Sequence, residues 1–156
     1  MKKKIVCVVV SILFSFTAFS QSVDEELTIV QELFGMEKKA AIAAFLQLEG
    51  SDAEGFWALY DAYETDRKAL GKKRIDILNK YADSYFELDD EKTDALMKET
   101  IALSKAYDKL IAGYYKKMKK SNGVKTATQF YQIEVYLKSY IRTVIFSSMP
   151  FVGEIE

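Results

Sequence analysis

Three charged residues stand in stretches that are otherwise apolar. Arg67 and Arg74 belong to the series Phe56, Tyr60, Tyr63, Arg67, Leu70, Arg74, Ile77 and Tyr81, spaced alternately four and three apart. Glu134 lies beside a second run at helical spacing, Phe130, Ile133, Leu137, Ile141 and Val144. A charge on such a stripe must be paired, or its stem must be covered while its head reaches water. The expectation is a structural ion pair between Arg67 and Glu134, because burying either one alone is costly.

Other chemistry is thin. The chain has no histidine and a single cysteine, Cys7. That removes His-based triads, thiol nucleophiles beyond Cys7 and Cys/His zinc sites. No phosphate-cradling glycine loop and no nucleophile elbow occurs. Glu87, Asp89, Asp90 and Glu91 could offer oxygen to calcium, but they fit no EF-hand loop, and acid at a helix start serves the cap. Met36, Met97, Met118 and Met149 are scattered and read as core filling. The expectation is a non-catalytic protein with no cofactor and no metal site. Tyrosine is abundant, with ten in the chain. Most lie in or beside the apolar stripes, either as core-edge residues with wet hydroxyls or as a surface that grips apolar segments. Leu59, Tyr85, Tyr131, Val135 and Tyr136 lie at the margins of the stripes or off them. They are the candidate client or partner surface.

The elements that must position these residues are helices. Gly and Pro are scarce, with seven glycines and one proline, Pro150, so long helices joined by short turns are expected. Ser22–Glu25 and Ser51–Glu54 fit capping boxes, Asp89 precedes Asp90 and Glu91, and Thr126 is a further cap candidate. Gly50, Ser121-Asn122-Gly123 and Pro150 mark stops, and Gly35 marks a bend or break in the first helix. The reading is all-α, with about four helices at 23–47, 52–86, 90–120 and 126–148. The second and third form a long antiparallel hairpin in an elongated molecule. In the third helix, Leu96, Thr100, Leu103, Tyr107, Leu110 and Tyr114 form the seam, flanked by Met97, Ile101, Ile111 and Met118.

The first twenty residues differ from the rest. Lys2, Lys3 and Lys4 precede an apolar run from Ile5 to Phe16, and Ala18-Phe19-Ser20 offers small residues at a cleavage site. This order predicts a signal peptide over 1–20 and a periplasmic location, with one helical domain over 21–156. The apolar run falls short of the about 20 residues a spanning helix needs, so no stable membrane insertion is expected. Cleavage removes three of the 22 basic residues and none of the 23 acidic ones. A mature net charge of −4 argues against a nucleic-acid binder.

The stretch Phe56-Trp57-Ala58-Leu59-Tyr60-Asp61-Ala62-Tyr63-Glu64, then Arg67, resembles exported helical proteins of the Spy/CpxP-like, LTXXQ-type family in its Bacteroidota-like version. Gln129-Phe130-Tyr131-Gln132-Ile133-Glu134 adds to the resemblance, as do Leu48 and Leu88. The resemblance extends over most of residues 36–152. The family signature is altered in Leu88-Asp89-Asp90-Glu91-Lys92, with aspartate in the threonine position and lysine in the glutamine position. The resemblance implies a cradle-like, often dimeric periplasmic protein that acts as an ATP-independent chaperone or in envelope stress. Its partners would be unfolded or partly folded envelope proteins, or a second copy of the chain. The alternative expectation is a structural or interaction module for one dedicated envelope partner.

Overall fold

The computed structural model describes residues 23–155, with side chains from residue 35 onward. The expected signal peptide and Ser22 of the first capping box lie outside the described residues. Among the described residues the fold is all-helical, in three helices: α1 (Val23–Leu46), α2 (Gly50–Ser84) and α3 (Asp90–Ser148). A short 3-10 turn, Tyr85–Glu87, joins the last two. The chain groups into two compact units, divided after Gln47. The first holds α1, which runs through Gly35 without a break. The second holds α2, the turn, α3 and the C-terminal segment.

In the second unit, α2 has 35 residues, a length of about 52 Å at 1.5 Å per residue. Its N-terminus departs from the capping box expected at Ser51. Glu49 holds the extended cap position (φ −131°, ψ 158°), so Ser51 is already the second helical residue and its hydroxyl is past the cap. The cap expected at Asp89 is present. Asp89 is extended (φ −101°, ψ 178°), and its carboxylate accepts from the Lys92 amide at 2.8 Å. That occupies one of the amides a helix start leaves unbonded.

The expected third and fourth helices meet at Gly123, the one non-helical residue inside the 59-residue stretch of α3. Gly123 has φ 81° and ψ 171°, a region open essentially to glycine alone. It divides α3 into a first arm, 90–122, and a second arm, 124–148. The second arm is helical directly after Gly123, which leaves Thr126 inside it and buried rather than capping it. The two arms run back along each other, since Tyr115 meets Tyr131 edge to face and Lys138 bonds Asp108. The Gly123 end is pinned to α2 by Asn122, whose amide donates to the Asp52 carbonyl at 2.7 Å. Gly55 permits that approach: a Cβ there would meet Ser121 Oγ at 3.0 Å. Replacing Gly123 by alanine is expected to cost about 1–3 kcal/mol, because the backbone must hold a conformation that L residues avoid. Thermal or urea unfolding measures this, and an unchanged midpoint would count against the strain.

The expected hairpin is formed by α2 and the first arm, with the second arm returning beside α2. Lys80 bonds Glu99, Tyr114 bonds Asp66, and Phe130 meets Tyr63. The core lies toward the Gly123 end of this unit. Phe56, Tyr60 and Tyr63 from α2 are buried with Tyr107, Ile111, Tyr114 and Met118 from the first arm and Ala127 and Phe130 from the second. In the first arm the buried face is turned from the expected seam. Leu103 and Leu110 are half-buried, while Ile111 and Met118, expected as flanks, are fully buried. This arm faces two neighbours, so its apolar stripe must widen to meet both. From residue 67 onward on α2, before 107 on the first arm and after 134 on the second, every residue is half-buried or exposed.

Candidate functional site

Of the interrupting charges, Glu134 is buried in the core and Arg67 and Arg74 are half-buried. Arg67 Nε donates to both oxygens of Glu64, at 2.9 and 3.0 Å, one helical turn away on α2. The Tyr63 hydroxyl donates to Glu134 at 2.7 Å across to the second arm of α3. Burial works against the charge on Arg67, and the Glu64 carboxylate beside it, helped by Glu134, more than restores it, so the guanidinium is held charged. The hydrogen-bonding carboxylate of Arg67 is Glu64, and Glu134 takes the Tyr63 hydroxyl; Glu134 acts on Arg67 through its charge. Arg74, the other interrupting charge, lies with its guanidinium 4.6 Å from the centre of the Tyr107 ring. That contact suits a planar cation against an aromatic face.

The inner part of the cluster is buried, while the Arg67 and Glu64 side chains keep 13 % and 12 % exposure. Tyr60 is 0 % exposed, Tyr63 1 % and Glu134 3 %. Burial pushes the Tyr60 and Tyr63 hydroxyls well above the ordinary tyrosine range, and the Glu64 and Glu134 carboxylates beside them push the same way. Neutral phenols donating to carboxylates are what such a site holds at physiological pH. The rings pack edge to face around it, Phe130 at 5.0 Å from Tyr63 and Tyr114 at 5.4 Å. The Tyr63–Glu134 bond links α2 to the second arm of α3.

Away from the core the second unit is less tightly packed. A groove of about 460 Å³ runs between α2 and the first arm of α3. Its apolar lining includes Leu70, Ile77 and Leu103, and Lys80 and Glu99 bridge it with a 2.9 Å ion pair. Beyond it, at the 3-10 turn, two tyrosines hold the C-terminal segment. Tyr81 donates to the Pro150 carbonyl at 2.7 Å and Tyr85 to the Phe151 carbonyl at 2.8 Å, while Tyr85 also accepts from the Ile155 amide at 3.0 Å. Several large apolar side chains remain exposed in this half, Phe86, Met97, Ile101, Phe146 and Phe151 among them.

The expected partner surface is not one patch. Tyr131, Val135 and Tyr136 share the second arm, with Tyr131 and Tyr136 exposed and Val135 half-buried. Leu59 is half-buried on α2, and Tyr85 sits at the far end of α2, engaged with the chain's own C-terminal segment. The groove and the tyrosine clasp went unread in the sequence. A local signal for part of the core was available: Glu64 and Arg67 are three apart, a pairing distance on any helix. Among the described residues no three carboxylates stand close enough to hold a metal ion, Glu87–Glu91 included. No described helix is long and apolar enough to cross a membrane. No family model matches the chain, and neither a curated protein nor a solved structure matches it.

Proposed function

We propose that this is a non-catalytic binding protein that holds apolar segments of other proteins, as an exported ATP-independent chaperone or envelope-stress protein of the Spy/CpxP-like kind. The observation that carries the reading is the uneven burial of the second unit. One half is packed around a sealed core, and the other leaves a groove and large aromatic and aliphatic side chains in water. Exposed apolar surface beyond scattered single residues marks interaction sites. The buried inner part of the tyrosine–carboxylate–arginine cluster supports a structural duty for it and no catalytic one. The resemblance carried by Phe56–Arg67 and Gln129–Glu134 points the same way, since its Phe56, Tyr60, Tyr63, Glu64, Arg67, Phe130 and Glu134 are the residues that meet in the core.

Aggregation suppression on two unrelated denatured proteins tests the proposal. Slowed aggregation of both supports it, and no effect on either, even in stoichiometric excess, refutes it. The rival, a module for one dedicated partner, gains if a crosslinking pull-down from envelope extract yields a single stoichiometric protein and neither test client is protected. Changing Tyr131 and Tyr136 to serine is expected to weaken suppression while leaving the melting temperature nearly unchanged. Tyr136 is 62 % exposed, and surface changes of this kind stay within about 0.5 kcal/mol apart from the Tyr115–Tyr131 ring contact, worth about 0.5–1.5. A large drop in melting temperature with suppression intact would assign these rings to the fold or to a second copy.

A further inference from the structure

The C-terminal segment is ordered in an unusual way: its main chain faces the protein and its apolar side chains face water. All three bonds from Tyr81 and Tyr85 go to backbone atoms, of Pro150, Phe151 and Ile155. The segment then closes on itself. The Glu154 amide donates to the Phe151 carbonyl at 3.0 Å, and the Glu154 carboxylate accepts from the Phe151 amide at 2.6 Å. Gly153, with φ 76°, supplies the positive φ that a turn of this kind requires at its third residue. The outcome is exposure of Phe151 by 61 %, Val152 by 57 % and Ile155 by 51 %, beside Phe86 at 78 % and Phe146 at 48 %. Hydrophobic burial does not order this segment, since its large side chains gain little cover. Specific polar bonds order it in a state that displays them.

The surroundings carry a charge. Asp83, Glu87, Asp89, Asp90, Glu91 and Glu154 are exposed around the same turn and tail. Lys92 is engaged with Glu87, Lys80 with Glu99, and Arg142 lies over the Phe146 ring. An apolar tip with an acidic rim repels acidic surfaces and attracts basic ones.

We infer that the turn Tyr85–Glu87 and the clasped tail 150–155 form a docking tip for a basic amphipathic segment of another protein, one that presents apolar side chains flanked by Lys or Arg. The inference rests on the reading above and narrows it to one surface and one partner chemistry. The tip offers side chains for the apolar face and carboxylates for the flanking cations. The tyrosine clasp preorganises the tail, so that its ordering is not charged against binding.

Titration of the full chain with a synthetic Lys/Leu amphipathic peptide and its Glu/Leu counterpart tests this. The Lys/Leu peptide is expected to bind about tenfold tighter or better, and its affinity is expected to fall as added salt screens the rim. The triple change of Phe86, Phe151 and Val152 to serine is expected to abolish that binding with the fold retained and only a small drop in melting temperature, from the lost Tyr85–Phe86 and Phe146–Phe151 ring contacts. Tyr85→Phe removes no apolar area but releases the tail, and is expected to weaken binding severalfold by the loss of preorganisation. Equal affinity for the two peptides, or full affinity in the triple variant, overturns the inference. So does self-association of the chain that the triple variant abolishes, which makes a second copy the occupant. Tip-dependent binding to phosphatidylcholine vesicles also overturns it, in favour of a lipid surface. A chain that suppresses aggregation but shows no preference for the Lys/Leu peptide loses this inference and keeps the binding function. A chain that binds the peptide through the tip but protects no client keeps the inference and loses the chaperone reading.

Discussion

Replacing Glu134 by alanine is expected to destabilise the protein by about 3–5 kcal/mol, the cost of removing one member of a buried charged set. Three groups feel the change. Tyr63 loses the acceptor 2.7 Å from its hydroxyl, and Tyr63 is itself 1 % exposed, so water cannot replace it. Arg67 loses one of the carboxylates that hold it charged. The second arm of α3 loses its polar tie to α2. Tyr63→Phe removes the same hydrogen bond from the other side and leaves the carboxylate short of a donor, at about 1–3 kcal/mol. A double-mutant cycle on Tyr63 and Glu134 is expected to show coupling of about 0.5–3 kcal/mol, and so is a cycle on Arg67 and Glu134. A cost for Glu134→Ala below about 1 kcal/mol would place the carboxylate in effective contact with water, where ion pairs are worth no more than that.

The helices were legible because their signals are local. Asp89 caps where its side chain and the following acids say it should, and the four-and-three spacing of Phe56, Tyr60 and Tyr63 gives the buried face of α2 directly. The break at Gly123 was legible as a position, since Asn-Gly after a lysine run marks a stop. Its form was not, because only the backbone angles show that a single residue makes the reversal and that the chain is helical on both sides of it. The same limit explains Thr126. It carries a good capping side chain, but the helix starts two residues earlier and tertiary packing buries it.

The candidate sites divide along the same line. That Arg67, Arg74 and Glu134 must each find a partner follows from the cost of an isolated charge on an apolar stripe. Which partner each finds depends on the rotation of three helical segments about their axes, and a stripe in one dimension does not contain it. Arg74 meeting the face of Tyr107 is a case in point, since a ring satisfies a cation without any acid in the sequence to announce it. The clasp of Tyr81 and Tyr85 on the tail was less legible still. Its acceptors are main-chain atoms, which every residue possesses, so no residue type marks it. Tyr85 was singled out as surplus apolar surface, and its hydroxyl is what the fold uses.

Raising the pH above 10 is expected to unfold the protein steeply, and the buried tyrosines set the slope. Burial raises the Tyr60 and Tyr63 hydroxyls above their ordinary 10.0, with Glu64 and Glu134 pushing the same way. In the unfolded chain these phenols ionise near 10.0, whereas in the native core they stay protonated. Below pH 10 both states hold the proton and the tyrosines' contribution is fully present. As pH rises past 10 the unfolded state sheds protons that the folded state keeps, and stability falls. Each such group costs about 1.4 kcal/mol per pH unit in that window, so the pair costs roughly 2.7. Against a total stability of about 5–15 kcal/mol for a domain, about two pH units suffice at the lower end of that range. The check is a titration that follows helix content by circular dichroism and phenolate by its ultraviolet absorbance. The buried fraction of the phenolate signal should appear together with the loss of helix in one cooperative step. In Tyr60→Phe the step should be shallower, because one of these protons is gone from the balance; burial raises Tyr107 and Tyr114 too, and they add to the slope in both proteins. Phenolate that forms in full while the helices persist would show that the hydroxyls reach solvent in the native state. The tyrosine–carboxylate cluster would then not be the buried link between α2 and the second arm of α3.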